Sequence, residues 1–301
     1  MSESRRGALF GATAYLLWGV FPLYFPLLKP AGSVEVLAHR VVWSLAVVAI
    51  LVQATRRWAG VRAIAADRRK LLRLSAAATV LAVNWGVYIY GVTSGRVVET
   101  SLGYFINPLV TVMLGVLVLR ERLRKAQYAA LGVAAAAVLF LSIENGRPPW
   151  IALTLAFSFG TYGLLKKTAV VGALEGLAVE TAVLAPLALV FLVALQLQGS
   201  STLVSHGAGH ATLLALTGLI TAIPLLFFGA AASRVPLTTL GVLQYLAPTM
   251  QFLLGVLLFH EALGLARLLG FCLVWAALGL FTADLMSQRR RSVRLAVAEP
   301  V

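Results

Sequence analysis

Ten long apolar runs, separated by short polar gaps, follow one another along the chain. A helix needs roughly 20 residues to cross the hydrocarbon of a bilayer, and backbone groups in lipid must pair within their own segment. Each run is therefore predicted to be a transmembrane helix, which makes the chain an all-α membrane protein with ten transmembrane helices. The runs, called spans 1 to 10, cover residues 7–28, 34–53, 74–93, 97–119, 126–143, 150–168, 173–195, 211–232, 236–259 and 264–285.

The composition agrees with this pattern. Of the 301 residues, 60% are apolar and only 12% are charged, which is too apolar for a soluble domain of this size. The formal net charge is +14, but the basic residues stand in the short gaps rather than on one basic face of the kind that binds nucleic acid. We therefore expect contact with membrane lipids and no nucleic acid.

The basic residues also predict how the chain is oriented. Cytoplasmic loops of membrane proteins are enriched in Lys and Arg. If the N-terminus is inside, most basic residues fall on the cytoplasmic side, and the external side holds Lys29, Arg96, Arg147 and Arg267. We expect a multi-pass protein of the bacterial inner (cytoplasmic) membrane with both termini in the cytoplasm. Residues 287–301 then form a basic cytoplasmic tail.

The second half of the chain repeats the first at an offset of 140 residues. Segments 101–121 and 241–261 match without a gap, and the matching pairs include Pro108 with Pro248, Gly115 with Gly255 and Glu121 with Glu261. This predicts two five-helix repeats, 1–143 and 144–286. Because five is odd, the second copy must enter the membrane upside down, and inverted repeats are the architecture of many alternating-access transporters. Glu121 and Glu261 are expected to cap the hairpins that follow them.

Two charged residues inside spans indicate function, because a charge in the membrane is costly. Arg40 lies about two turns into span 2, and Glu180 occupies the repeat-related position in span 7. One interpretation is a direct contact in which Arg40 and Glu180 neutralise each other. The alternative is that each is satisfied within its own half. Glu180 is also the candidate for proton coupling if protons drive transport.

Polar residues recur at the same depth in spans 4 and 9. Tyr104 and Thr111 share one face of span 4, and Gln244 and Gln251 are at the matching positions of span 9. The intervening prolines are expected to free backbone carbonyls at mid-membrane depth. This pattern favours a polar cavity between the repeats over simple interhelical hydrogen bonding. The predicted substrate-cavity residues are Trp18, Arg40, Asn84, Tyr88, Tyr104, Asn107, Thr111, Tyr162, Glu180, Gln244, Tyr245 and Gln251.

Sequence motifs that mark enzymes are absent. The chain contains no Gly-rich phosphate loop, no HExxH and no nucleophile elbow, and its single cysteine, Cys272, excludes an intramolecular disulfide. We expect no catalytic residue, no metal and no cofactor. A membrane-embedded enzyme acting on lipid-linked substrates and a non-transporting membrane subunit are the alternative classes. Gly132 and Ala136 suit close helix packing, either within the chain or in a homodimer.

Several strings resemble the RarD type of EamA-family permeases, in the drug/metabolite transporter superfamily. They are LLWGVFPLYF in span 1, VEVLAHRVVWS in span 2, NWGVYIY in span 3, and ETSLGYFINPLV and LRERL in and after span 4. The resemblance covers residues 5–285. It implies a ten-helix permease that moves a small-molecule substrate by alternating access through a central cavity. Members of the superfamily carry amino acids, nucleotide sugars, drugs and other metabolites, and the RarD type is associated with chloramphenicol sensitivity.

Overall fold

The computed structural model describes residues 3–119, 125–144, 146–232, 234–235 and 243–298. This part of the chain contains helices and no β-strand, which confirms the predicted all-α class. The helices are α1 (Glu3–Gly19), α2 (Phe21–Tyr24), α3 (Ser33–Ala54), α4 (Trp58–Ala66), α5 (Arg68–Thr93), α6 (Val97–Leu119), α7 (Lys125–Glu144), α8 (Trp150–Ala169), α9 (Ala173–Leu197), α10 (Thr202–Ser205), α11 (Gly207–Ala232), α12 (Leu246–Leu253) and α13 (Leu265–Ala298).

Eight stretches of the described chain are helical, long and apolar enough to cross a membrane. They coincide with spans 1 to 5, 7, 8 and 10. Span 6 is helix α8, which falls outside these eight and carries Lys166 and Lys167 near its end. Span 9 is represented by the shorter apolar stretch Leu246–Leu258, because residues 236–242 lie outside the described part. The structure therefore supports a multi-pass membrane protein.

Span 1 is broken where a proline removes a backbone donor. Helix α1 ends at Gly19, and α2 and a 3₁₀ turn complete the span. Pro22 has no N–H to donate to the carbonyl of Trp18, four residues earlier. The side-chain amide of Gln251 in α12 donates to that carbonyl oxygen instead, at 3.1 Å. The carbonyl oxygen of Trp18 that the break frees is thus bound by a residue from the second half of the chain.

Span 9 is irregular as well. Its described helix, α12, continues into one π-helical turn, Leu254–Leu258, a feature that often occurs at functional sites. Pro108 lies inside α6 as predicted. Pro248, in contrast, lies in the first turn of α12, where helix N–H groups have no partner to lose. Pro248 therefore removes no hydrogen bond from α12, and the expectation that it frees a backbone carbonyl was wrong.

The long helices of the two halves interleave. Helix α1 packs on α11 and α12, and α8 packs on α5 and α6. Helix α3 packs on α9 and α11, and α9 also contacts α5. Helix α6 further packs on α12, and α7 packs on α13. The crossing of α3 and α11 is close because Gly218 has no side chain: a Cβ atom there would lie 2.5 Å from the carbonyl of Trp43.

Two repeat-related glutamates each bind the start of a short connecting helix in the opposite half of the chain. Glu35, at the start of α3, is buried and accepts a hydrogen bond from the backbone N–H of Thr202 at 2.8 Å, where α10 begins. Glu175, at the start of α9, forms an ion pair of 3.1 Å with Arg57, which directly precedes α4.

A third glutamate caps a helix. Glu261 accepts hydrogen bonds from the backbone N–H groups of Val97 and Val98, at 2.5 and 3.0 Å, at the start of α6. Burial raises the pKa of Glu261, and these two hydrogen bonds partly oppose the rise. The predicted capping role is present, but the capped helix belongs to the first half and is not the hairpin that follows. Glu121 lies outside the described residues.

Candidate substrate site

Arg40 is buried in α3 and has no acidic partner among the described residues. Its Nε atom donates to the hydroxyl of Thr221 in α11 at 2.7 Å. Its guanidinium carbon lies 4.0 Å from the ring centroid of Trp85. The rings of Phe21 and Phe25 are at 5.6 and 6.0 Å. We call these five residues the Arg40 cluster. It holds a cation with aromatic faces and one hydroxyl, so no described residue neutralises the positive charge.

A hydrogen-bond network lies beside this cluster. The hydroxyl of Tyr104 donates to the side-chain oxygen of Asn84 at 3.1 Å. The Asn84 amide donates in turn to the hydroxyl of Ser158 at 2.9 Å, so helices α5, α6 and α8 are linked. Tyr88 connects this network to the Arg40 cluster, because its ring lies 5.7 Å from that of Tyr104 and 5.9 Å from that of Phe25.

Glu180 is held differently. It is 1% exposed in α9, with the ammonium group of Lys166 at 2.7 Å and the hydroxyl of Tyr162 at 3.3 Å, both from α8. Glu180 is therefore satisfied within its own half, and the direct contact with Arg40 does not form. The alternative interpretation was right for Glu180 and wrong for Arg40, whose hydroxyl partner lies in the second half.

The other predicted cavity residues lie in separate places. Asn107 is buried and donates to a backbone carbonyl of α8, while Thr111 is exposed beside Gly160. Tyr245 is half-buried and stacks on the ring of Phe105, and its half-buried neighbour Gln244 lies in the turn before α12. Trp18 and Gln251 meet at the break in span 1. The structure thus brings Asn84, Tyr88 and Tyr104 together beside Arg40, but does not gather all twelve residues around one point.

Some contributing residues were not predicted. Trp85 lies in span 3 but is not among the predicted cavity residues, because its contact with Arg40 depends on the packing of α3 against α5. Thr221 carries no sequence signal that singles it out from other threonines of α11. Lys166 lies near the end of span 6, where the charge pattern places basic residues on the cytoplasmic side, yet its side chain is 23% exposed and reaches Glu180.

Comparison with known proteins defines the class of protein. Residues 5–143 match the model of the EamA-like transporter family. Protein RarD of Streptomyces exfoliatus is 58% identical over 300 residues, covering 99% of this chain and 95% of that protein. An uncharacterized transporter of Pseudomonas aeruginosa is 42% identical over 95% and 96% of the two chains. Protein RarD of Escherichia coli (strain K12) is 38% identical over 96% and 98%.

The fold has a counterpart among solved structures. One crystal structure covers 94% of this chain and 98% of its own, with a TM-score of 0.59 at 20% identity. The arrangement of apolar helices and these relatives together define a membrane transporter. The chain belongs to the EamA family, as a permease of the RarD type.

Proposed function

We propose that this permease carries a small organic solute by alternating access, through a cavity between two inverted five-helix repeats, 1–143 and 144–286.

The packing of the long helices supports this proposal. In the repeat, α1 corresponds to α8, α3 to α9, α5 to α11, α6 to α12 and α7 to α13. If the two halves are exchanged, the α1–α11 contact becomes α8–α5, the α1–α12 contact becomes α8–α6, and the α3–α11 contact becomes α9–α5; all of these contacts are present. The contacts α3–α9, α6–α12 and α7–α13 each map onto themselves.

The set of helix pairs named above is unchanged when the halves are exchanged, as a pseudo-twofold axis predicts. Because each half has five spans, this axis would lie in the membrane plane, as in many secondary transporters. Glu35 and Glu175 follow the same rule: each begins the second span of its half and holds the connecting helix that follows the second span of the other half. Symmetry of this kind supports two interchangeable, oppositely facing states.

The transport step is tested with purified protein in liposomes, by screening amino acids, nucleosides, organic acids, amines and chloramphenicol for flux above protein-free vesicles. We expect Tyr104→Ala to lower the flux of a transported solute by about tenfold or more. The reason is that Tyr104, where α5, α6 and α8 meet, would help to position the solute. Tyr128→Ala is the matched control, since Tyr128 is 60% exposed on α7. No flux of any solute would overturn the transport proposal, and wild-type flux in Tyr104→Ala would overturn the cavity role of Tyr104.

The proposed orientation places both termini in the cytoplasm of a bacterium. Cys272 is the single cysteine, so Cys272→Ser gives a background without thiols. Ser94 and Ala59 are both exposed and lie in connections that the charge pattern assigns to opposite sides. A membrane-impermeant maleimide added to intact spheroplasts is expected to label Ser94→Cys and not Ala59→Cys. The reverse labelling would invert the topology.

A further inference from the structure

The buried charges of this bundle differ in one respect. Glu180 is neutralised by Lys166 at 2.7 Å, whereas Arg40, which is 4% exposed, faces no carboxylate in the part of the chain that the structure describes. A buried cation without a counter-charge is strongly unfavourable in a membrane protein. Because Arg40 is nevertheless buried, we expect an anion from outside the described part of the protein to bind it.

Two buried polar groups at this site have no hydrogen-bond partner among the residues that the structure describes. They are the NH1 group of Arg40 itself and the hydroxyl of Tyr88. The guanidinium group is planar and matches a carboxylate or phosphonate through two parallel N–H donors. The Nε donor is used by Thr221, and NH1 is left for a ligand. Tyr88, whose ring touches that of Phe25, adds a hydroxyl to the same aromatic enclosure.

Arg40 contacts residues of both halves of the chain. Its aromatic partners come from α2, the 3₁₀ turn that follows α2, and α5 of the first half, and its hydroxyl partner Thr221 comes from α11 of the second half. A ligand on the guanidinium would therefore contact elements of both halves. The rings of Phe21, Phe25 and Trp85 supply apolar faces, which ligand pockets use to bury planar or apolar parts.

We propose that Arg40 binds the anionic group of the transported solute, and that this solute is an organic anion with a planar apolar body, of the aromatic carboxylate or phosphonate class. The proposal rests on the proposed transport function, which does not by itself require a charged solute.

Binding is tested on the purified full chain in detergent, with benzoate and phenylphosphonate as anionic probes and benzamide as the neutral probe of the same shape. Both anions at saturating concentration are expected to raise Tm by about 3 °C or more, since a ligand stabilises only the state that it binds. Benzamide is expected to leave Tm unchanged. Arg40→Gln is expected to abolish the shift, and Arg40→Lys, which keeps the charge without the fork, to retain part of it.

The control for loss of charge is Arg6→Gln, because Arg6 has a side chain that is 56% exposed near the N-terminus. It is expected to show the wild-type shift. The proposal is overturned if neither anion shifts the Tm of the wild-type protein, if benzamide shifts it equally, or if Arg40→Gln keeps the full shift. Should Arg40→Gln not fold, the wild-type contrast between benzoate and benzamide decides by itself.

The same probes separate the two proposals. Anion binding that depends on Arg40, together with no flux of any solute in liposomes, would overturn transport and keep the site. Flux of neutral solutes that is equal in wild type and Arg40→Gln would overturn the site and keep transport.

Discussion

Positions 40 and 180 are related by the 140-residue repeat, yet the protein holds its two charges in opposite ways. Glu180 has a lysine at 2.7 Å and a tyrosine hydroxyl at 3.3 Å, both from the neighbouring helix of its own half. Arg40 has a ring face at 4.0 Å and a single hydroxyl, from two different halves. One charge is neutralised by the protein, and the other is left for something that the protein binds.

This difference separates stability from function. A neutralised buried charge stabilises the fold only while both partners are present, because removal of one leaves the other unpaired. A buried charge without a counter-ion contributes little to the free energy of folding, or opposes folding, and is retained for another reason. Substitution should therefore lower stability at the Glu180 site and leave it unchanged or raised at the Arg40 site.

The largest effect is expected from Glu180→Gln. The substitution leaves the ammonium group of Lys166 without its counter-charge, which we expect to lower the free energy of unfolding by about 2 kcal/mol, allowing for the partial exposure of the lysine. Thermal unfolding in detergent measures it. In the double variant Glu180→Gln with Lys166→Met, stability should return towards wild type.

Flux across a pH gradient, measured on the single variant Glu180→Gln, tests proton coupling. An unchanged pH dependence removes Glu180 from that role.

A smaller effect, either zero or of the opposite sign, is expected from Arg40→Met. The apolar replacement removes the desolvated charge, together with the stacking on Trp85 and the bond to Thr221. The gain and the losses are each of order 1–3 kcal/mol and should nearly cancel. The unfolding temperature without ligand is expected to be equal to or above that of wild type. A loss as large as that of Glu180→Gln would show that Arg40 is a structural residue.

The smallest effect is expected from Thr221→Val. The substitution keeps the shape of the side chain but removes the acceptor that orients the guanidinium group, so benzoate should bind about threefold more weakly, in line with one hydrogen bond. Tryptophan fluorescence titration follows this change. Thr212→Val, on the exposed side of the same helix, is the control, and equal affinities of the two variants would contradict an orienting role for Thr221.

Most of the transmembrane helices, and the two charged residues buried within them, could be predicted from the sequence. A helix in hydrocarbon must be apolar, so a charged residue inside such a segment is easily recognised. Arg40 and Glu180 stood out for this reason. Their partners did not, because they depend on how helices cross. Thr221 reaches Arg40 through the packing of α3 on α11, which a glycine at 218 permits.

Other features were missed because side chains are long and helix ends are inexact. Lys166 lies near the end of α8, where a basic residue is expected to face the cytoplasm, but its long side chain reaches Glu180 in α9. The break after Gly19 follows from Pro22, yet the residue that replaces the missing donor, Gln251, lies at the far end of the chain. A local pattern shows which group lacks a partner but does not show what replaces it.

The cap on α6 has a consequence for how the protein is made. The amide groups of Val97 and Val98 bond to a carboxylate that follows them by 164 and 163 residues. When a ribosome has delivered the first five spans to the bilayer, this helix end still lacks its acceptor, and it obtains one only after most of the chain has been synthesised. The first half is thus an unfinished folding unit until Glu261 has been synthesised, although its sequence resembles a self-contained repeat.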